Sequence, residues 1–281
     1  MKQVTTILLV FFSLSFFAQS PWTKKKNEGY VQLSFSLIPT YSTIFGNPDY
    51  DTQREISDNT LQLYGEFGLN DKTTLFANVP FKMLKSGDFT EDMSLVLPLV
   101  LTTEGTKNTL GNIQFGVKHN FYSKNWILSG QIGVEANTGS FDQPSGLRTG
   151  YDAWTFTPLF LAGKSLGNSY FQSFVGFDVR TNDYSSNFKI GGEYGGKIGK
   201  DLWLIGFIDI VKSFENGDVI LPTSNSYTAT YVNDQEYGAF GAKFIYEFSD
   251  KYGINAGFGG AFFGNNVAKA PALSFGLYHK F

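Results

Sequence analysis

Cysteine is absent from the 281 residues, and histidine occurs only at His119 and His279. Without thiols there is no disulfide, no thiolate metal site and no lipid-modified cysteine behind a leader. Two imidazoles are too few for a histidine-based metal centre. Charge is sparse as well: 17% of residues are Asp, Glu, Lys or Arg, where a soluble domain carries about a quarter. The net charge of −3 and the lack of any basic run beyond Lys24-Lys25-Lys26 argue against nucleic-acid binding. Arginine appears three times, at Arg54, Arg148 and Arg180, too rarely for a one-sided track that selects acidic sugars. After Phe17 no stretch of eighteen apolar residues occurs, so a helical membrane span is not expected. No cofactor is expected either. The glycine-rich stretch 191–196 precedes neither a helix nor a Lys-Ser/Thr pair, and the acidic loops 47–53 and 215–218 lack full calcium-ligand spacing.

What the chain does have is twenty-nine Phe, fifteen Tyr and thirty-one Gly. Many of these sit in period-two alternation, the pattern of a strand whose two faces meet different solvents. Leu61, Leu63, Phe67 and Leu69 alternate with Gln62, Tyr64, Glu66 and Gly68. Ile113, Phe115, Val117, His119 and Phe121 alternate with Gln114, Gly116, Lys118 and Asn120. Segments of about ten such residues are the signature of an outer-membrane barrel. The start of the chain fits an exported protein. Met1-Lys2-Gln3, the apolar run Val4 to Phe17 and the small residues at Ala18-Gln19-Ser20 form a secretory leader, cleaved after Ala18.

Twelve strands are expected, at 29–38, 58–69, 73–83, 109–121, 126–137, 153–165, 169–181, 186–199, 202–213, 235–248, 252–263 and 271–281. Short polar connections at 70–72, 122–125, 166–169, 200–201 and 249–251 alternate with longer ones at 39–57, 84–108, 138–152, 182–185, 214–234 and 264–270. This parity separates periplasmic turns from extracellular loops and places both chain ends on the periplasmic side. Aromatics near the short turns, Phe121, Tyr122, Trp126, Tyr170, Phe171, Trp203, Phe248 and Tyr252, read as an interfacial belt. The expected fold is therefore all-β: a transmembrane antiparallel up-and-down barrel spanning 29–281, behind a leader at 1–18 and a periplasmic segment at 19–28. The 202–213 segment alternates poorly, because Trp203, Ile205, Phe207 and Val211 share a face with Asp209. The 153–165 segment is similarly irregular.

Three stretches resemble a known group. "PWTKKKNEGYVQLSF" (21–35) is similar to the opening of secreted barrels of Bacteroidetes-type bacteria. "LYGEFGLNDKTTLFANVPF" (63–81) and "LGNIQFGVKHNF" (110–121) resemble a hairpin and a strand of the transporters associated with aromatic-degradation meta-pathways, with Asn112 where that group has an acidic residue. The resemblance implies an outer-membrane barrel that passes small, hydrophobic molecules.

The inward phase of the expected strands carries Glu66, Lys118, Glu135, Asp178, Arg180, Lys189, Glu193, Lys197, Asp209, Lys243 and Glu247. Five are positive and six negative. Either they tune a channel or they form an ion-paired filling that stabilises without conducting. The apolar run 94–103 extends a strand, folds inward as a plug or receives a solute. His119 and His279 fall on the lipid-facing phase near the periplasmic side, with no serine suitably placed for a hydrolase. The expected function is passive transport in the outer membrane of a Gram-negative bacterium. A closed structural barrel with partner-binding loops is the first alternative and a membrane-embedded hydrolase the second. Expected partners are outer-membrane lipid, the insertion machinery, which would read the terminal Phe281, and a small solute, with no nucleic acid.

Overall fold

A computed structural model describes residues 19–89 and 102–281. Twelve long strands close into one antiparallel barrel. They are β1 (Gly29–Phe45), β2 (Tyr50–Asn70), β3 (Thr73–Phe89), β4 (Gln114–Ser123), β5 (Ile127–Glu135) and β6 (Thr155–Ser165), followed by β7 (Ser169–Arg180), β8 (Asn187–Ile198), β9 (Leu202–Ser213), β10 (Glu236–Glu247), β11 (Tyr252–Asn265) and β12 (Ala272–Lys280). Each strand pairs with its sequence neighbours, and β12 returns to β1 in register from Tyr30↔Lys280 to Leu37↔Leu273. The backbones of Gly29 and Phe281 then exchange two hydrogen bonds, at 2.7 and 3.0 Å. Closure leaves no strand edge, which hydrocarbon would not tolerate.

The exterior is apolar where the alternation placed it. On β12, Phe275 is 57% exposed while Tyr278, on the inward phase, is 4% exposed. Leu63, Phe67, Phe115, Ile132, Phe160, Ile190 and Ile208 also point outward and are exposed. Phe121, Tyr122, Trp126, Phe171, Phe248 and Tyr252 stand exposed at the short-turn end, as an interfacial belt requires. Tyr170 and Trp203 do not belong to it. They point into the barrel, where their rings lie 5.7 Å apart.

Several boundaries differ from expectation. β1, β2 and β3 run far beyond 38, 58 and 83, so the anticipated loop 39–57 is mostly hairpin, with only residues 46–49 turning. In this stretch the solvation reverses. Asp51 and Glu55 face out, while Ile38, Tyr41, Ile44 and Ile56 pack inward against Ala229, Val232 and Ala270. Above the bilayer the outer solvent is water, so the strand keeps period two but exchanges its faces. The fourth strand begins early: Gly105–Leu110 pairs with β3, a break follows at 111–113, and β4 then resumes the ladder. At the break the Gly111 N–H donates to the Pro80 carbonyl at 2.9 Å, and the Asn112 side chain bonds neighbouring loop groups. Residues 94–101 of the apolar run lie outside the described residues, as does the leader at 1–18.

β6 and β9 alternate poorly because both of their faces are apolar. Leu159, Leu161 and Phe174 form one inward cluster, and Phe45, Phe207, Ala239 and Ala261 another. Glycines make room for these rings: a Cβ on Gly241 would stand 2.6 Å from the Phe207 ring, and one on Gly191 would stand 2.6 Å from Phe174. The lumen is thus partly filled by side chains, as small barrels allow.

The closing seam yields a test. A Cβ at Gly29 would lie 2.3 Å from the Phe281 ring, so Gly29→Val should displace that ring and lower the folded fraction in membranes. Deleting Phe281 should reduce assembly several-fold more than it shifts the melting of barrels already folded. Heat-modifiable gel migration of membrane fractions reads both outcomes.

Candidate functional site

Residues 19–28 enter the barrel through its short-turn mouth instead of hanging below it. The order of contacts fixes their direction. The Lys26 N–H donates to Asp71 Oδ1 in the β2–β3 turn at 3.1 Å. Deeper inside, Trp22 packs edge-on against Tyr170 at 5.7 Å between ring centres. The Pro21 carbonyl accepts from Ser129 Oγ at 2.6 Å, and the Ser20 carbonyl from Lys118 Nζ at 2.9 Å. Gln19 lies deepest, beside Glu135, Asp178, Arg180 and Lys189.

One ion pair and a set of hydrogen bonds hold the segment. Glu66 accepts Lys24 Nζ at 3.2 Å on one oxygen and Lys118 Nζ at 3.0 Å on the other. Tyr64 donates its hydroxyl to the same carboxylate at 2.9 Å. Lys118 is only 1% exposed, so its charge depends on Glu66. Lys24, the first residue of the basic run, is therefore an internal latch, whereas Lys25 and Lys26 remain exposed.

Two chambers flank the segment. The one toward the periplasmic mouth encloses about 600 Å³, with Trp22, Tyr30, Tyr170, Trp203, Ile205 and Ile245 among its walls. Its charges are paired. Glu193 takes Lys243 at 2.7 Å and hydroxyl and amide hydrogens from Tyr170 and Gln172. Glu247 takes Lys197 and Lys280, each at 3.1 Å, and the Trp203 indole N–H at 3.2 Å. The outer chamber encloses about 290 Å³ and is roofed by Ala229, Thr230 and Tyr231 from the 214–235 connection. There Asp178 is flanked by Lys189 at 3.3 Å and Arg180 at 3.7 Å and accepts from Thr157 at 2.7 Å. Glu135 accepts from Asn112 Nδ2 at 3.0 Å, and Asp209 lines the same chamber.

Of the eleven charged residues singled out from the sequence, Glu66, Glu193 and Lys243 line the wider chamber and Glu135, Asp178, Arg180, Lys189 and Asp209 the outer one, while Lys118 bonds Glu66 and Lys197 pairs with Glu247. Sequence reasoning missed a further pair, Asp58 and Lys82, joined at 2.6 Å. Both lie within the expected strands 58–69 and 73–83, Asp58 on the phase of Gln62 and Glu66 and Lys82 opposite the exposed Leu75 and Phe81, so the alternation was enough to place them. Loop tyrosines complete the outer wall. The Tyr151 hydroxyl donates to Gln235 at 2.5 Å, and burial pushes the Tyr151 and Tyr231 phenols up, keeping both neutral. The roof itself is hydrogen-bonded: Arg148 Nε donates to Asn225 Oδ1 at 3.1 Å, and Asn225 Nδ2 to the Thr230 carbonyl at 2.8 Å.

Neither histidine enters a chamber. His119 Nδ1 lies 3.0 Å from Thr73 Oγ1 on the outer face, and His279 stacks on Tyr252 with ring centres 4.3 Å apart. Among the described residues no group of three or more His, Asp or Glu is placed to hold a metal.

An outer-membrane channel from Pseudomonas putida F1 superposes with a TM-score of 0.69 at 15% identity, covering 94% of this chain and 98% of that one. The fold is that of the outer-membrane β-barrels. The KdgM porin matches at TM-score 0.52 and 6% identity over 90% of this chain and 99% of its own, and the NanC porin at 0.53 and 9% over 89% and 100%. No protein-family model and no curated protein matches the sequence.

The Glu66 node predicts a measurable coupling. Glu66→Gln strands Lys118 as a buried, unpaired cation, a change that costs about 3–5 kcal/mol when one partner of such a pair is removed. Urea or thermal unfolding should show a loss of that order. Limited proteolysis should cut after Lys24 in this variant and spare it in the parent.

Proposed function

We propose that the protein is a passive outer-membrane channel for small molecules with an apolar or aromatic portion, occluded at rest by its own N-terminal segment. The observation that carries this reading is the way the segment sits: in a polar lumen, between two chambers, latched by an ion pair and backbone hydrogen bonds that water can replace. The wider chamber offers aromatic faces from Trp22, Tyr30, Tyr170 and Trp203 beside paired charges, which suits a solute with a flat apolar body and one polar group. The likeness to meta-pathway transporters and the similarity in fold to an outer-membrane channel and two porins support the same direction.

Paired charges of both signs argue against a strongly anion- or cation-selective pore. Catalysis is not assigned, because both imidazoles lie outside the chambers. Lipid contacts the apolar belt, and Phe281, exposed at the closing seam, is the residue assigned to recognition by the insertion machinery.

Planar-bilayer recording tests the channel. The parent should show small or infrequent current steps, and a chain lacking residues 19–26 a several-fold larger steady conductance. Electrical silence of both proteins across voltages would favour a closed structural barrel. Titration with a small aromatic alcohol should quench Trp22 and Trp203 fluorescence in the parent, and Trp203→Phe should weaken that response.

A further inference from the structure

The outer chamber is one cation short. Its wall contains four carboxylates, from Asp58, Glu135, Asp178 and Asp209, but three basic side chains, from Lys82, Arg180 and Lys189. Lys82 is committed to Asp58, and Arg180 and Lys189 flank Asp178. Glu135 and Asp209 have no cation at ion-pair distance among the described residues, and of the two only Glu135, which accepts from the neutral Asn112 amide, shares the narrow inner recess that Gln19 lines. A buried carboxylate without a countercharge is costly. The chain delivers something to this place. From Lys26 at the mouth the segment runs steadily inward to Gln19, which lines the same wall as Glu135. Gln19 Oε1 is buried there without a hydrogen-bond partner. The roof formed by Ala229, Thr230 and Tyr231 closes the way ahead. A space of 290 Å³ accommodates about ten waters and not an eighteen-residue leader.

We propose that the α-ammonium group of Gln19, created by removal of the leader, is the missing cation and pairs with Glu135. The inference rests on cleavage after Ala18 and is independent of the channel reading. Leader peptidase hydrolysis of the Ala18–Gln19 bond consumes one water. The carboxylate stays with Ala18 on the leader, and the amine left on Gln19 takes a proton near neutral pH. Processing then does more than release the chain from the inner membrane: it makes the charged end that seats the stopper. An unprocessed chain has neither the charge nor the room. Cyclisation of Gln19 to pyroglutamate would expel ammonia, abolish the charge and unseat the segment.

Intact-mass analysis and a stability–pH profile of the mature, membrane-extracted protein test this. The mass should correspond to residues 19–281 with an uncyclised glutamine. An ammonium stabilised in the fold has its pKa raised above its unfolded value, so its contribution is complete below about pH 8 and disappears as pH rises through the folded value. The parent should therefore lose a few degrees more of melting temperature between about pH 8 and pH 10 than Glu135→Gln, since one pKa unit corresponds to about 1.4 kcal/mol. A second variant leaves Glu135 intact: two extra residues, Ala-Ser, inserted after Ala18 move the ammonium out of reach and should remove the same step. Tyr151 and Tyr231 sense the Glu135 charge, so the insertion variant, which keeps that carboxylate, isolates the α-amine. A different first residue, a pyroglutamate, or equal pH profiles in all three would overturn the proposal.

Discussion

Hydrocarbon offers no hydrogen bonds, so each backbone N–H and C=O that crosses it has to be satisfied within the chain. That constraint turns twelve strands into a closed ring and obliges β12 to return to β1, ending in the reciprocal bonds between Gly29 and Phe281. Closure in turn creates an interior that lipid cannot reach. Whatever faces inward is shielded yet polar at the backbone pleat, and the chain fills it with paired charges, aromatic rings and glycines. The N-terminal segment is one more filling element, latched by the ion pair of Lys24 with Glu66.

The exterior belonged to the most legible part of the sequence. Leu63, Phe67, Phe115 and Phe275 announce the lipid face because hydrocarbon imposes one rule at every mid-membrane position. Short turns and long loops were equally readable, since their alternation follows from topology alone. Legibility failed where the solvent changed. Around Ile38, Tyr41, Ile44 and Ile56 the strands stand in water, so apolar residues point inward and the period-two signal carries no label for its faces. In β6 and β9 both faces are apolar, and Leu161, Ile205 and Phe207 resembled lipid-facing residues while packing in the lumen.

The stopper was invisible for a different cause. Residues 19–28 have no periodicity, and a Lys-Lys-Lys run looks solvated when its partner is forty residues away in sequence. Only closure of the barrel brings Glu66 and Lys118 to Lys24. Tyr170 and Trp203 were misassigned to the belt because composition near a turn does not reveal which way a ring points. Their inward orientation joins Trp22 to an aromatic wall and makes the larger chamber chemically distinct from the smaller one.

The account turns on whether the segment moves. The chain's lack of cysteine gives a clean background for fixing it. A Cβ at Gly163 would come within 2.5 Å of the Pro21 ring, close enough for Pro21→Cys with Gly163→Cys to form a disulfide. Single-channel recording of this double variant, oxidised and then reduced in the same bilayer, is the most direct measurement. A movable stopper predicts that current steps are suppressed while the disulfide holds and appear on reduction. Identical conductance in the two states would contradict it.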